Sequence, residues 1–134
     1  MITNIENLSA VKIFERGIPN EECIAIQVME STDLTGYGIL IAESTRDGIV
    51  LPINDCTFWF GNAIVQKDDW VFIYTGNGKP MKVAGPEGKT ETFSLYWGRN
   101  ETLFADTNII PVIFSIGSID ALFPPRNQSQ KVIG

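Results

Sequence analysis

The stretch Trp70-Val71-Phe72-Ile73-Tyr74-Thr75-Gly76-Asn77-Gly78 decides the fold class. Its first six residues are β-branched or aromatic and apolar at both odd and even positions. They are too few for a helix and too uniform for a strand wetted on one face. The pattern predicts a central strand whose second face is covered by another layer or by a partner. The segment then breaks on glycine. Gly76-Asn77-Gly78-Lys79 superficially resembles part of a phosphate-binding loop, which needs four residues between its first glycine and the Gly-Lys pair, then Ser or Thr, then a helix. Here one residue intervenes and Pro80 follows, so the reading is a turn between strands.

The pattern continues outward in both directions. Val11 to Arg16 reads as a first strand, ended by Gly17 and Pro19. Glu22 to Glu30 alternates, with Ile24, Ile26 and Val28 on one face and Cys23, Ala25, Gln27 and Met29 on the other. Asp33-Leu34-Thr35-Gly36 supplies turn chemistry before Tyr37 to Glu43. Arg46-Asp47-Gly48 reads as a hairpin turn, and Ile49 to Ile53 as an edge strand because Pro52 cannot donate to a ladder. Cys56 to Phe60 and Thr90 to Trp97 follow, and Ile109 to Ile116 closes the set, with Pro111 at an edge or bulge. About eight strands and no convincing amphipathic helix predict an all-β sandwich. Residues 1–123 form its single domain. Ser118 to Phe123 is expected to make one turn of helix capped by Ser118, ahead of a flexible tail over 124–134.

Composition narrows the function. A chain of 134 residues with 44% hydrophobic and 19% charged residues can bury a core without metals or disulfides. Ten Lys and Arg against sixteen Asp and Glu give a net charge of −6, which disfavours nucleic acid and anionic membranes as partners. No apolar run is long enough to span a bilayer. The start MITNIENLSAV lacks the features of a secretory signal, so the expected compartment is the cytoplasm. There is no histidine. That removes Ser-His-Asp and Cys-His catalysis and every His-containing zinc site. Cys23 and Cys56 read as buried apolar fillers rather than a bridge. No enzyme, cofactor or metal site is expected.

Four features remain as candidate sites. Lys79, Lys82 and Lys89 sit on a Gly/Pro-rich connection opposed only by Glu87, which reads as a solvated loop or as a local basic contact. Asp68-Asp69 reads as a turn before the Trp70 strand, since strand neighbours point opposite ways and no calcium loop is present. Trp59 and Tyr96 fall opposite the inward sets of their strands and belong either to packing at the rim or to a contact surface. The segment Phe123 to Arg126, Phe-Pro-Pro-Arg, has the composition of a peptide ligand.

Several stretches in order carry a resemblance: Glu22-Cys23-Ile24-Ala25-Ile26, Asp33-Leu34-Thr35-Gly36-Tyr37, Lys67 to Gly78 with its Tyr74-Thr75-Gly76-Asn77-Gly78 ending, and Leu95-Tyr96-Trp97-Gly98-Arg99 followed by Leu103-Phe104 and Asp106-Thr107. Over roughly residues 20–116 they resemble the lamin tail domain family. Tyr37 stands where that family has Trp, and Phe104-Ala105-Asp106 where it has Trp-Asn-Asn. The resemblance implies an immunoglobulin-like antiparallel β-sandwich that serves as an interaction module and has no catalytic residues. Together these readings predict a module that binds another macromolecule, a protein first of all, through Trp59, Tyr96, Lys79 and Lys82. Two other classes stay open. One is a small-ligand, nucleotide or metal binder with weak hydrolysis through Asp68, Asp69 or Asp106. The other is a self-assembling structural subunit, hence a homo-oligomer.

Overall fold

The computed structural model describes residues 4–48 and 50–125. Among them the chain is all-β: β1 (Leu8–Phe14), β2 (Cys23–Val28), β3 (Thr32–Asp33), β4 (Tyr37–Ser44), β5 (Val50–Trp59), β6 (Ile64–Val65), β7 (Trp70–Tyr74), β8 (Met81–Ala84), β9 (Glu91–Tyr96) and β10 (Ile109–Ser115). The remaining regular element is a single 3₁₀ turn, Pro86–Gly88. No helix among the described residues is long and apolar enough to cross a membrane.

The strands form a five-stranded sheet in the order β1-β2-β7-β9-β8, a three-stranded sheet β10-β4-β5, and a short β3-β6 ribbon. The two larger sheets enclose one core. Ile24, Ile26, Val71 and Ile73 come from the first, and Ile39, Ile41, Cys56 and Phe60 from the second and its edge. Val65 of the ribbon and Phe104 of the loop before β10 fill the ends, both with no solvent exposure. Removing each such side chain from water contributes roughly 1.5–3 kcal/mol.

The expected turns are where the sequence put them. Gly36 and Gly48 adopt φ of +84° and +77°, as tight turns require. Thr35 N donates to Asp33 Oδ1 at 3.0 Å, and Gly48 N to Thr45 O at 3.0 Å. Pro52 lies on β5, an edge strand, and Pro111 on β10, the other edge of the same sheet. A proline costs least at an edge, where the missing N–H faces solvent.

Four expectations are corrected. The five-stranded sheet is mixed rather than antiparallel throughout, because β7 pairs with β9 in parallel, from Trp70 opposite Thr92 to Tyr74 opposite Tyr96. The chain leaves β7, skips one position, runs back as β8, and turns through Pro86–Gly88 into the vacant slot as β9. Gly85 N, donating to Thr90 O at 2.7 Å, closes that hairpin. Second, the described residues hold ten strands rather than about eight. The segments expected at Ile49 to Ile53 and Cys56 to Phe60 are one strand, β5, which absorbs Asp55 at φ +60° and a register shift opposite Leu40 and Ala42. Third, β8 lies inside what reads in sequence as a lysine-rich loop. Fourth, Ser118 to Phe123 is not helical. A single turn has an unfavourable nucleus, residues 118–123 are all exposed, and Pro124 biases Phe123 away from helical dihedrals. Of the tail expected over 124–134, residues 126–134 lie outside the described residues, as does Ile49.

Candidate interaction surface

The outer face of the five-stranded sheet is built from the strand registers. Phe14 pairs with Cys23, Cys23 with Tyr74, and Tyr74 with Tyr96, giving one row across four strands. The next row runs Lys12, Ala25, Phe72, Ser94, Met81. A third runs Ser9, Gln27, Trp70, Thr92, Val83. Because side chains alternate, these residues point away from the core that Ile24, Ile26, Val71 and Ile73 enter. The double-sided apolarity of Trp70 to Tyr74 is thereby explained. Val71 and Ile73 are the core side of β7, and Trp70, Phe72 and Tyr74 are its other side.

Five aromatic rings share this outer face. Phe14 and Phe72 lie 6.3 Å apart, and Trp70 and Phe72 6.0 Å apart in an edge-to-face arrangement. Tyr74 and Tyr96 stack at 5.0 Å with planes 15° apart. The Lys12 ammonium sits 4.8 Å over the Phe14 ring, a geometry that ring quadrupoles favour. The rings screen the small residues between them, so Cys23, Ala25 and Ser94 are buried although they point outward. Phe14, Met81 and Val83 are 40%, 56% and 52% exposed. None of the ten strands is laid across this face.

Electrostatics within the face follow from that shielding. Burial pushes the Cys23 thiol up from 9.0 to about 12, against smaller opposing effects of hydrogen bonds with Tyr74 and Ile73. Burial also raises the Tyr74 hydroxyl, helped by the charges Cys23 and Tyr96 would carry. Cys23 is therefore a neutral filler at neutral pH. It points outward from the five-stranded sheet while Cys56 lies in the inter-sheet core, and both are free thiols.

The glycines that open the question of a phosphate loop have a packing role. A Cβ on Gly78 would overlap the Tyr96 ring, and one on Gly76 would come within 2.6 Å of Asn20 Oδ1. Gly78 lets the loop lie against the Tyr96 ring, and Gly76 lets it pass close to Asn20. The next element is strand β8 rather than a helix, so the loop's N–H groups are not organised at a helix N-terminus.

The residues singled out in the sequence fall in separate places. Tyr96 belongs to the aromatic face, stacked on Tyr74 and covered in part by Gly78. Trp59 is on the other sheet, 53% exposed, with its ring edge-on to Phe114 at 5.1 Å across Gly38. Lys82 is on the edge strand β8, its Nζ 3.7 Å from Glu91. Lys79 is exposed beyond the glycine loop, and Lys89 pairs with Glu87 at 3.0 Å. The structure does not bring Trp59 and Tyr96 together.

The acidic residues are likewise dispersed. Asp69 is buried and accepts Gln66 N at 2.8 Å and Glu91 N at 2.9 Å, while Asp68 is exposed at φ +74°. These are turn and strand-entry contacts. Among the described residues no group of three or more His, Cys, Asp or Glu side chains is placed to hold a metal ion. Sequence reasoning missed the most constrained carboxylate, Glu22, which has no solvent exposure. It accepts Gly17 N at 2.8 Å, Thr75 Oγ1 at 2.9 Å, Leu103 N at 2.7 Å and Phe104 N at 2.9 Å. Its full complement of donors makes it a structural clamp rather than a reactive group. An acidic residue directly abutting the apolar run Cys23 to Ile26 was the available signal.

No protein-family model matches the chain, nor does any curated protein or solved structure.

Proposed function

We propose that this chain is a non-catalytic, immunoglobulin-like module that binds another protein through the outer face of its five-stranded sheet. The observation that carries the reading is the row-by-row apolar face of Phe14, Trp70, Phe72, Tyr74 and Tyr96, extended by Met81 and Val83 on the edge strand. Large contiguous apolar patches mark contact sites on soluble proteins, and aromatic anchors supply most of the energy where such patches are used. The resemblance to the lamin tail domain family supports the same class. The Asp33 to Tyr37 motif forms the turn into β4, and Tyr74-Thr75-Gly76 ends the central strand. The carboxylates lend the hydrolytic reading no support: Asp69 is committed to backbone donors, and Asp68 and Asp106 are exposed in separate turns.

The experiment is affinity capture from the source cells with the full chain, comparing Phe14→Ser and Phe72→Ser with Trp59→Ala, each checked first for an intact fold by thermal melting. The reading expects partners to be lost with the two outer-face variants and kept with Trp59→Ala. Capture that ignores the outer-face changes, or that depends on Trp59, overturns it.

A further inference from the structure

Among the described residues, two apolar features have no strand or helix packed over them, and their chemistries match. The first is a depression of about 450 Å³ at one corner of the aromatic face, lined by Phe14, Phe72 and Tyr74 and rimmed by Glu15 and Glu21. Both glutamates are exposed, and neither forms an ion pair among the described residues. The second is the segment after β10. Beyond Ile116, whose N–H donates to Gly36 O at 2.9 Å, no strand or helix is assigned through Pro125. Ile119, Leu122 and Phe123 are 73%, 102% and 71% exposed. Phe123-Pro124-Pro125-Arg126 is apolar, conformationally restricted by its prolines, and ends on a cation. Aromatic-lined grooves take such segments because a polyproline-like chain has little conformational entropy left to lose. Acidic residues at the groove's rim suit an arginine at the segment's end.

From these features we infer that the Phe-Pro-Pro-Arg segment of one copy docks in the Phe14/Phe72/Tyr74 depression of a second copy, with Arg126 facing Glu15 and Glu21. The inference rests on the outer face being an interaction surface and adds a second copy of this chain as the occupant of one corner of it.

Geometry favours docking between copies over docking within one. Ser115 pairs with Tyr37, and Asn7 Nδ2 donates to the Tyr37 hydroxyl at 3.1 Å, so the arm departs at the Leu8 end of β1. Ser115 and Gly117 line a groove there together with Asn7 and Leu8. The depression lies at the opposite, Phe14 end, about 20 Å along that strand. It also lies on the outer side of the other sheet, about 10 Å away across the sandwich. From Gly117 to Phe123 the chain reaches at most about 22 Å when fully extended, and it would have to pass round β1 rather than through it. A second copy meets no such limit. Reciprocal exchange of arms closes a dimer, whereas one-way docking builds an open chain.

The test is sedimentation velocity of the full chain from micromolar to near-millimolar concentration, with Phe123→Asp, Arg126→Glu, the double variant Arg126→Glu/Glu21→Arg, and Phe72→Ser. Phe123 and Glu21 are exposed, so their replacement leaves the core intact. The expected result is concentration-dependent self-association, weakened at least about tenfold by Phe123→Asp and by Arg126→Glu, and recovered in the charge-swapped double variant. A concentration-independent monomer overturns the inference, as does self-association that both arm variants leave unchanged. Association lost with Phe72→Ser but indifferent to the arm overturns the arm as occupant while leaving the face as the interface. Partner capture that is itself indifferent to Phe72→Ser overturns the functional reading separately.

Discussion

The carboxylate of Glu22 accepts the backbone N–H of Phe104 at 2.9 Å, across 82 positions of chain. Phe104 is the largest side chain with no exposure, and its neighbour Leu103 donates to the same carboxylate at 2.7 Å. One buried carboxyl group therefore fixes the loop that plugs the end of the core, and ties it to the β1–β2 turn through Gly17 and to the end of β7 through Thr75. Glu22→Gln is expected to destabilise the fold by about 2–4 kcal/mol, because an amide nitrogen then faces backbone donors that lose their acceptor. Urea denaturation measures it. A loss below about 0.5 kcal/mol would show the clamp to be dispensable.

Gly78→Ala places a methyl against the Tyr96 ring. Overpacking of this kind costs about 1–3 kcal/mol where neighbours cannot yield, and Tyr96 is held by its stack on Tyr74. A drop in the urea midpoint, accompanied by a change in tyrosine fluorescence, is the expected outcome. Gly48→Ala, in a turn open to solvent, should cost only about 1 kcal/mol for its positive φ.

The thiols give a pH signature. The Cys23 pKa is raised from 9.0 to about 12 by burial beneath the rings, so the folded state holds the proton more tightly than the unfolded state. That contribution to stability is fully present below about pH 9 and is lost progressively as pH rises towards 12. The raised Tyr74 acts in the same direction at alkaline pH. Stability measured from pH 7 upward should fall in that window and fall less in Cys23→Ala. At pH 8 the native protein should react slowly with a thiol reagent at both buried cysteines, and rapidly in urea.

The two faces of β7 should respond differently to truncation. Ile73→Ala removes a wholly buried core side chain and is expected to cost about 2–5 kcal/mol. Phe72→Ser, on the outer face, should cost clearly less, since that ring contacts Phe14 and Trp70 laterally and none of the described strands lies above it. Equal costs would mean that the outer face is a second core.

Much of this was legible in the sequence. Period-two alternation located β2, β4 and the end of β5, and Asp-Gly and Asp-Leu-Thr-Gly punctuation located their turns, because burial on one face and positive φ leave direct marks on residue choice. The apolar run Trp70 to Tyr74 announced a central strand with two apolar faces but could not say whether the second was covered. That depends on what the other strands do. β8 was hidden because Met81-Lys82-Val83-Ala84 lies at an edge, where packing imposes no pattern and lysine protects the free ladder. The parallel pairing of β7 and β9 was hidden because it follows from β8. Tyr96 was recognised as facing away from the core, but its partners Tyr74, Phe72 and Phe14 come from strands whose adjacency only the registers reveal.

The most direct measurement pairs stability with binding in one variant, Phe14→Ser/Phe72→Ser. If the outer face of the five-stranded sheet is a free contact surface, the variant unfolds cooperatively within about 2 kcal/mol of the parent and loses partner capture. A variant that fails to fold, or one that folds and still captures its partners, contradicts the account.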